Sequence, residues 1–314
     1  MISIKRLKSW RAFIFKEAGP EMKNRLLKRQ YAVAVARKQD GKDYTELKYH
    51  VIKNGINYWV ADPFPIEVEG VLYIFGEVFG YTKNKGSIGY TKLVDGKFTP
   101  WKTVIEEEYH LSFPNISYEN GKFVICPEAN ESNSIYLYRC ERFPDKWIKD
   151  KVIIEGGNYV DTVYYEQNDK SYGITYDVSG GNRGNTLRLF SVDKGKFSDR
   201  EVKNAEPDHC RPAGKIYMEA DKAILPTQIG VPTYGAGIVI NECVMNWPDM
   251  ELRPLRKLYP KDFTFDINKE YAGIHTLNFT EQYVVVDVKW YGFNVINNVF
   301  KVIRRIKGTT NNRR

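Results

Sequence analysis

Cysteine and histidine are scarce in this 314-residue chain, with four of each. Cys126, Cys140, Cys210 and Cys243 form no C-x-x-C pair and no framework spacing, which excludes a zinc ribbon and a disulfide scaffold. No run of about 18 apolar residues occurs, so no segment is long and apolar enough to cross a membrane as a helix. The opening residues lack the apolar core and small-residue cleavage site of a secretory leader, and the chain is expected in the cytoplasm. Gly180–Gly184 is glycine-rich, yet no helix pattern and no G-K-[ST] follow, which argues against a phosphate cradle. Positive charge is not spread over the chain either. Residues 1–30 hold nine Lys or Arg against two Glu, and residues 304–314 add five more, so a total of +8 leaves the middle mildly acidic. That distribution excludes a basic face for nucleic acid.

Aromatic residues are abundant: 22 Tyr, 16 Phe and 6 Trp. Such a content suits β-structure and sugar stacking alike. The stretch from Ala61 to Glu77 reads as a strand, the tight turn Glu69-Gly70, and a second strand over Val71–Phe75 apolar enough to be buried on both faces. Asp62, just before a proline, opens the first strand, and Glu77 closes the second, so the two acids are expected side by side at one sheet rim.

The pattern returns at roughly 50-residue intervals. Phe113-Pro114 to Glu128 is the second copy, with His110 just ahead of it and Phe113 in the place of Asp62. Asp161 to Asp177 is the third, Arg211-Pro212 to Gln228 the fourth, and Gly273 to Asp287, through His275, the fifth. Repeats of this length built on hairpins and followed by further strand-like runs predict an all-β fold, a five-bladed β-propeller over residues 31–306. First strands of the blades line the central channel. Asp62, His110, Asp161, Arg211 and His275 should therefore converge on one axis, with Glu77, Glu128, Tyr176 or Asp177, Gln228 and Asp287 as a second ring.

Before the propeller, Leu7, Trp10 and Ile14 at spacings of three and four predict a short N-terminal helical segment over residues 1–30, broken at Gly19-Pro20. Its basic faces and Trp suit an anionic membrane surface, and the same pattern fits a solvated helix packed on the propeller. Tyr31–Arg37 alternates like a strand and is placed to complete the last blade, which would remove two exposed edges. Residues 307–314 read as a disordered basic tail.

Carboxylates crowded into one volume cannot all ionise at ordinary pH, so one value rises while another stays low, the division that acid and base roles at a glycosidic bond need. Arg211 with His275 adds positive charge suited to a sugar acid or a donor phosphate.

Ala61-Asp62-Pro63-Phe64, Tyr109 to Pro114, Pro127-Glu128, the Asp161 strand, Arg211-Pro212-Ala213-Gly214 and Gly273-Ile274-His275-Thr276 together resemble the propeller domain found at the N-terminus of plant glucosamine inositolphosphorylceramide transferases and in many bacterial polysaccharide-locus proteins. That domain is similar to glycoside hydrolase family 43. The resemblance implies five blades and an inverting site with an Asp base, a second Asp that tunes it, and a Glu acid. Asp62 matches the base. The other two roles depart from the pattern, because blade two carries Phe113-Pro114, the next Asp is Asp161 in blade three, and the available glutamates are Glu77 and Glu128.

These features lead to an expected carbohydrate-active enzyme, a glycosyltransferase of bacterial surface polysaccharide or glycolipid synthesis. Asp62 would serve as base, Glu128 and Asp161 would stabilise or protonate, and His110, Arg211 and His275 would bind donor phosphate or sugar acid, with Gln228 and Asp287 behind them. Its partners would be a nucleotide sugar or sugar phosphate and a glycan or glycolipid acceptor, with peripheral contact to the inner face of the membrane through residues 1–30. The alternatives are a hydrolase similar to family 43, with Asp62 as base and Glu128 or Glu77 as acid, and a non-catalytic sugar-binding or scaffold propeller. No resident cofactor is called for; a divalent cation in the channel is left open.

Overall fold

The computed structural model describes residues 27–119, 121–180 and 185–292. The N-terminal helical reading, apart from its last few residues, the tail 307–314 and most of the Gly180–Gly184 loop lie outside the described residues. By compactness the chain divides into Tyr31–Lys289 and a unit of Met1–Gln30 with Trp290–Arg314. The site described below belongs wholly to the first.

Five small sheets follow one another. The chain opens with β1 (Lys28–Arg37) and β2 (Lys48–Val51). Blade one is β3 (Tyr58–Val68), β4 (Val71–Gly80), β5 (Lys85–Val94) and β6 (Lys97–Phe98), with β7 (Lys102–Ile105) also paired to β5. Blade two runs β8 (Ser112–Glu119), β9 (Lys122–Glu128), β10 (Ser134–Arg142) and β11 (Lys146–Glu155), and blade three β12 (Tyr159–Gln167), β13 (Lys170–Asp177), β14 (Thr186–Ser191) and β15 (Lys196–Phe197). Blade four is β16 (Tyr217–Glu219), β17 (Lys222–Ile229), β18 (Gly237–Asn246) and β19 (Asp249–Leu258). The last blade combines β20 (Thr264–Phe265), β21 (Leu277–Phe279) and β22 (Tyr283–Gly292) with the first two strands, in the order β20-β2-β1-β22-β21. The N-terminal strand thus closes the ring beside β22, and the sheet gains a partner where it would otherwise expose an edge.

The hairpins form where the backbone can turn left-handed. Glu69 (φ 50°) and Gly70 (φ 76°), then Asp95 (φ 48°) and Gly96 (φ 73°), then Asn168 (φ 53°) and Asp169 (φ 58°), each put both turn residues in the positive region that matches the twist of paired strands. First strands meet at the axis: β3 packs on β8 and on β21, and β8 on β12. Between blades one to four lies a continuous core that includes Phe64, Phe75, Phe113, Ile116, Val163, Ile174 and Leu189. Each of these seven is at most 1 % exposed.

Blade four departs from the expected hairpin. Its inner strand begins at Tyr217, and from the Arg211 end only a single bridge, Pro212 to Thr227, is formed. Pro212 has no N–H for a ladder. Gly214 also runs so close to blade five that a Cβ there would lie 2.0 Å from the Leu277 carbonyl oxygen.

Candidate active site

Strand β3 does not begin at Asp62. It starts at Tyr58 and passes through Asp62 at a bulge, where regular pairing stops at Ala61 opposite Glu77 and resumes at Phe64 opposite Phe75. Asp62 has φ 50°. Strands β8 and β12 break in the same way, between Ser112 and Asn115 and between Val160 and Val163, with Phe113 at φ 44° and Asp161 at φ 52°. A bulge re-aims a side chain and bends its strand. Aspartate tolerates the left-handed region, whereas a bulky residue there costs of order 1–3 kcal/mol. Burial offsets that cost at Phe113, whose ring is fully enclosed and packs edge-on to Phe64 with centroids 4.7 Å apart.

Each of two bulges also turns its amide toward a carboxylate of the preceding blade. Phe113 N–H donates to Asp62 Oδ2 (3.2 Å), and Asp62 N–H donates to Asp287 Oδ2 (3.2 Å). The inner strands are stitched together by the residues that the sequence marks as chemical.

Three groups of side chains result. In the first, Asp62 Oδ1 accepts from Thr276 Oγ1 (2.9 Å) and lies 3.7 Å from His275 Nε2, while His275 Nδ1 is 2.5 Å from Asp287 Oδ2. Asp287 Oδ1 accepts from the amides of His275 (2.8 Å) and Thr276 (3.1 Å). In the second, Arg211 donates from Nε to Asp161 Oδ2 and from Nη2 to Glu128 Oε2 (3.1 Å), and Gln228 Nε2 donates to the same Asp161 oxygen (2.8 Å). In the third, His110 Nδ1 accepts from Gly86 N–H (3.0 Å), which puts its proton on Nε2, 3.3 Å from Glu77 Oε1. All nine candidates therefore enter one of these groups. Asp177 does not join them: it pairs with Arg188 (3.3 Å) and accepts from Ser179 N–H, and Tyr176 donates from its hydroxyl to the Pro207 carbonyl (2.6 Å).

Electrostatics separates these groups. Burial raises Asp62 above the usual carboxylate range, with His275 pulling it down and Asp161 and Asp287 pushing it up. Burial pushes Asp161 up to about 7 against the pull of the Arg211 guanidinium, whose own value Asp161, Tyr234 and Glu128 raise further. For His275 burial acts downward, yet Asp287 and Asp62 outweigh it and favour the imidazolium. Asp287 is correspondingly lowered, the imidazolium and the donated hydrogen bonds overcoming its burial. His110 is lowered by burial and stays neutral at pH 7 despite Asp62.

Asp62, His275 and Asp287 bring ligand atoms within 4.8 Å of one another, a donor set of one imidazole and two carboxylates that suits a divalent cation. The Nδ1 of His275 already faces Asp287 at hydrogen-bond distance, so a cation coordinated at that nitrogen would displace its proton.

Aromatic rings surround the mouth in a way that periodicity does not reveal. Tyr31, from β1, stacks on His275 (4.8 Å, 16°) and tilts against Trp59 (5.0 Å). Trp59 stacks flat on Phe79 (4.6 Å, 2°), and Phe79 reaches His110 (6.2 Å). Tyr234 sets its ring edge-on to His275 (5.4 Å) and beneath the Arg211 guanidinium (5.1 Å). Its loop comes this close because Gly235 (φ 64°) and Gly273 have no side chains: a Cβ on Gly235 would lie 2.9 Å from His275 Cβ, and one on Gly273 would lie 1.9 Å from the Gly235 oxygen. Gly235 in Tyr234-Gly235 and Gly273 in Gly273-Ile274-His275 are the sequence signal for that approach.

The family model described as glucosamine inositolphosphorylceramide transferase 1, N-terminal, matches residues 50–238, well over half of the chain. This chain belongs to that family. Seven of the nine candidate residues, Asp62 through Gln228, fall inside the matched stretch, and His275 and Asp287 lie beyond it. Glucosamine inositolphosphorylceramide transferase 1 of Arabidopsis thaliana is 36 % identical over 99 residues, 31 % of this chain and 13 % of that protein. The Oryza sativa subsp. indica protein of the same name is 34 % identical over 101 residues, again 31 % and 13 %. The aligned segment is thus a small fraction of those relatives. Among solved structures, a β-xylosidase superposes with a TM-score of 0.53 at 11 % identity, over 75 % of this chain and 92 % of that one. The catalytic domain of a Coprinopsis cinerea GH62 α-L-arabinofuranosidase gives 0.52 at 10 % identity, over 82 % and 97 %. These likenesses show the shared propeller fold.

Proposed function

We propose that this glucosamine inositolphosphorylceramide transferase-family propeller is a carbohydrate-active enzyme that transfers a glycosyl group from a phosphate-activated sugar to a glycan or glycolipid acceptor, at the cytoplasmic face of the membrane in surface polysaccharide or glycolipid synthesis. The arrangement of Arg211 carries this reading. Cleaving a bond between two sugars requires an acid to protonate the departing oxygen; Asp161 and Glu128 are both engaged by one guanidinium, and Glu77 is buried against His110 Nε2 (3.3 Å). A phosphate departs as a stable anion and needs positive charge instead. Arg211 is 23 % exposed, and its Nη1 has no acceptor among the described residues. That Nη1 is the donor left to bind a phosphate oxygen, with Nε and Nη2 held in place by Asp161 and Glu128.

Asp62 is the base for the acceptor hydroxyl. It accepts from Thr276 and Phe113 N–H, one donor to each oxygen, and each carboxylate oxygen keeps a further lone pair. Burial raises its value toward the operating range of a base. The stacked Trp59 and Phe79, both half-buried, offer an aromatic face to the acceptor ring. The names of the family and of the plant relatives, both transferases, support the same reading.

The experiment is calorimetric titration and product analysis with nucleotide sugars, sugar phosphates and neutral oligosaccharides, on wild type and Asp62→Asn. Binding of a phosphorylated donor that survives Asp62→Asn, with turnover lost, is the expected result. In wild type the transfer rate should rise with pH through a midpoint above the ordinary carboxylate value. Release of sugar from a neutral oligosaccharide without a donor would replace this reading with hydrolysis, and no turnover with any of the three classes would replace it with a sugar-binding or scaffold role.

A further inference from the structure

A cavity opens among blades two, three and four, on the half of the inner strands that runs away from Asp62. It encloses about 290 Å³, the small end of ligand cavities and enough for one sugar ring rather than a chain. Its lining on β8 begins at Asn115, two residues beyond the bulge at Phe113, and reaches Ser117, about 13 Å from that bulge along an extended strand; none of the nine candidate residues lines it. Asn115, Ser117, Tyr118 and Glu119 line it from β8, Glu166 from β12, and Lys215 from the segment before β16.

Lys215 distinguishes this cavity. Its backbone N–H is fixed by Asn278 Oδ1 (2.7 Å), and Asn278 is itself anchored by donating to the Pro63 carbonyl (2.9 Å). Its ammonium makes no hydrogen bond or ion pair among the described residues. Burial pulls the amine down to about 8, and Glu119 only partly restores it. Glu119 is already engaged by the Ser117 hydroxyl. Lys215 is part-buried and its ammonium is left to meet an anion, while Glu119 and Glu166 on the same wall are exposed to water, where their charges are screened. Tyr118 stands at the lip, 60 % exposed, its ring steadied against Phe123 (centroids 4.7 Å apart). An exposed ring beside amide and hydroxyl groups fits one face and the hydroxyls of a pyranose.

We propose that this cavity is a second, non-catalytic saccharide site that takes a single sugar unit bearing an anionic group, with Lys215 on the anion and Tyr118 against the ring. The proposal stands independently of the transferase reading, since none of its residues belongs to the mouth.

The test titrates the full chain with glucuronate, glucose 6-phosphate and glucose, in wild type, Lys215→Met, Tyr118→Ala and Asp62→Asn. Glucuronate or glucose 6-phosphate should bind at least about tenfold more tightly than glucose, which is the size of one charge-assisted contact. Lys215→Met should remove that preference and Tyr118→Ala should weaken all binding, while Asp62→Asn should lose turnover and keep the affinities of this cavity. The tighter of the two acids identifies the anion. Protection of Lys215 from acetic anhydride by the bound acid, mapped by mass spectrometry on wild type, reads the same contact without a substitution. Glucose binding as tightly as the acids, no binding of either acid, or acid affinity and acetylation unaffected at Lys215 would each overturn the proposal.

Discussion

His275 Nδ1 stands 2.5 Å from Asp287 Oδ2, and that same oxygen receives the amide of Asp62 from blade one. One buried carboxylate therefore holds the imidazolium, the bulge that aims Asp62, and the junction where the last blade meets the first.

Replacing Asp287 by Asn should destabilise the protein by about 3–5 kcal/mol near pH 5.5, the usual cost of stranding one member of a buried pair. The loss should depend on pH in a definite direction. Asp287 is lowered on folding, so its contribution is present above the ordinary carboxylate value of about 4 and fades as pH falls through its folded value. His275 is raised, so its contribution is complete below about 6.5 and fades as pH rises through its folded value. Urea midpoints of wild type and variant should differ most between those limits and converge on either side. A constant difference from pH 3 to 9 would contradict the pairing.

Arg211→Met leaves Asp161 and Glu128 without their guanidinium, and should also cost about 3–5 kcal/mol at pH 8. Asp161 is a carboxylate raised on folding, to about 7. Such a group favours the folded state most at low pH and withdraws that support as pH rises. The variant should accordingly approach wild-type stability near pH 4, where Asp161 carries a proton, and fall steadily behind above pH 6. Arg211→Lys should recover only part of the loss, because an ammonium cannot reach both carboxylates with a planar fork. Thermal unfolding across that range checks both statements; equal loss at every pH would count against them.

Trp59→Ala should raise the KM for acceptor by about 2- to 13-fold with little change in kcat, the effect of removing one stacking face worth about 0.5–1.5 kcal/mol of ground-state binding. Trp59 is half-buried and packs on Phe79, so its removal leaves Asp62 and Arg211 in place. Steady-state kinetics with acceptor varied at saturating donor makes the measurement. A fall in kcat with KM unchanged would show that the ring acts on something other than acceptor binding.

The five-fold repeat was legible because hairpins announce themselves: Glu69-Gly70, Asp95-Gly96 and Asn168-Asp169 are turn pairs that tolerate positive φ, and alternating aromatic and branched residues lie between them. Asp62, Asp161, Arg211 and His275 could be aligned once the repeat was seen. The bulges could not. Nothing in Phe113 suggests a left-handed residue, and only its enclosure beside Phe64 makes that conformation tolerable. Trp59, Phe79 and Tyr31 were hidden for a different reason, since aromatic residues are so common here that no spacing distinguishes core from mouth.

The order of strands, the closure by Tyr31–Arg37 and the residue types at the channel mouth were determined by the sequence itself, through turn chemistry and period-two patterning that act over a few residues. Which carboxylate meets which cation was decided only by the tertiary structure. Glu128 and Arg211 are in different blades, as are Asp62 and His275, and their distances depend on how the sheets pack around the axis rather than on any local preference. The same holds for Lys215, which only the packing of three separate blades brings into one cavity with Tyr118 and Ser117.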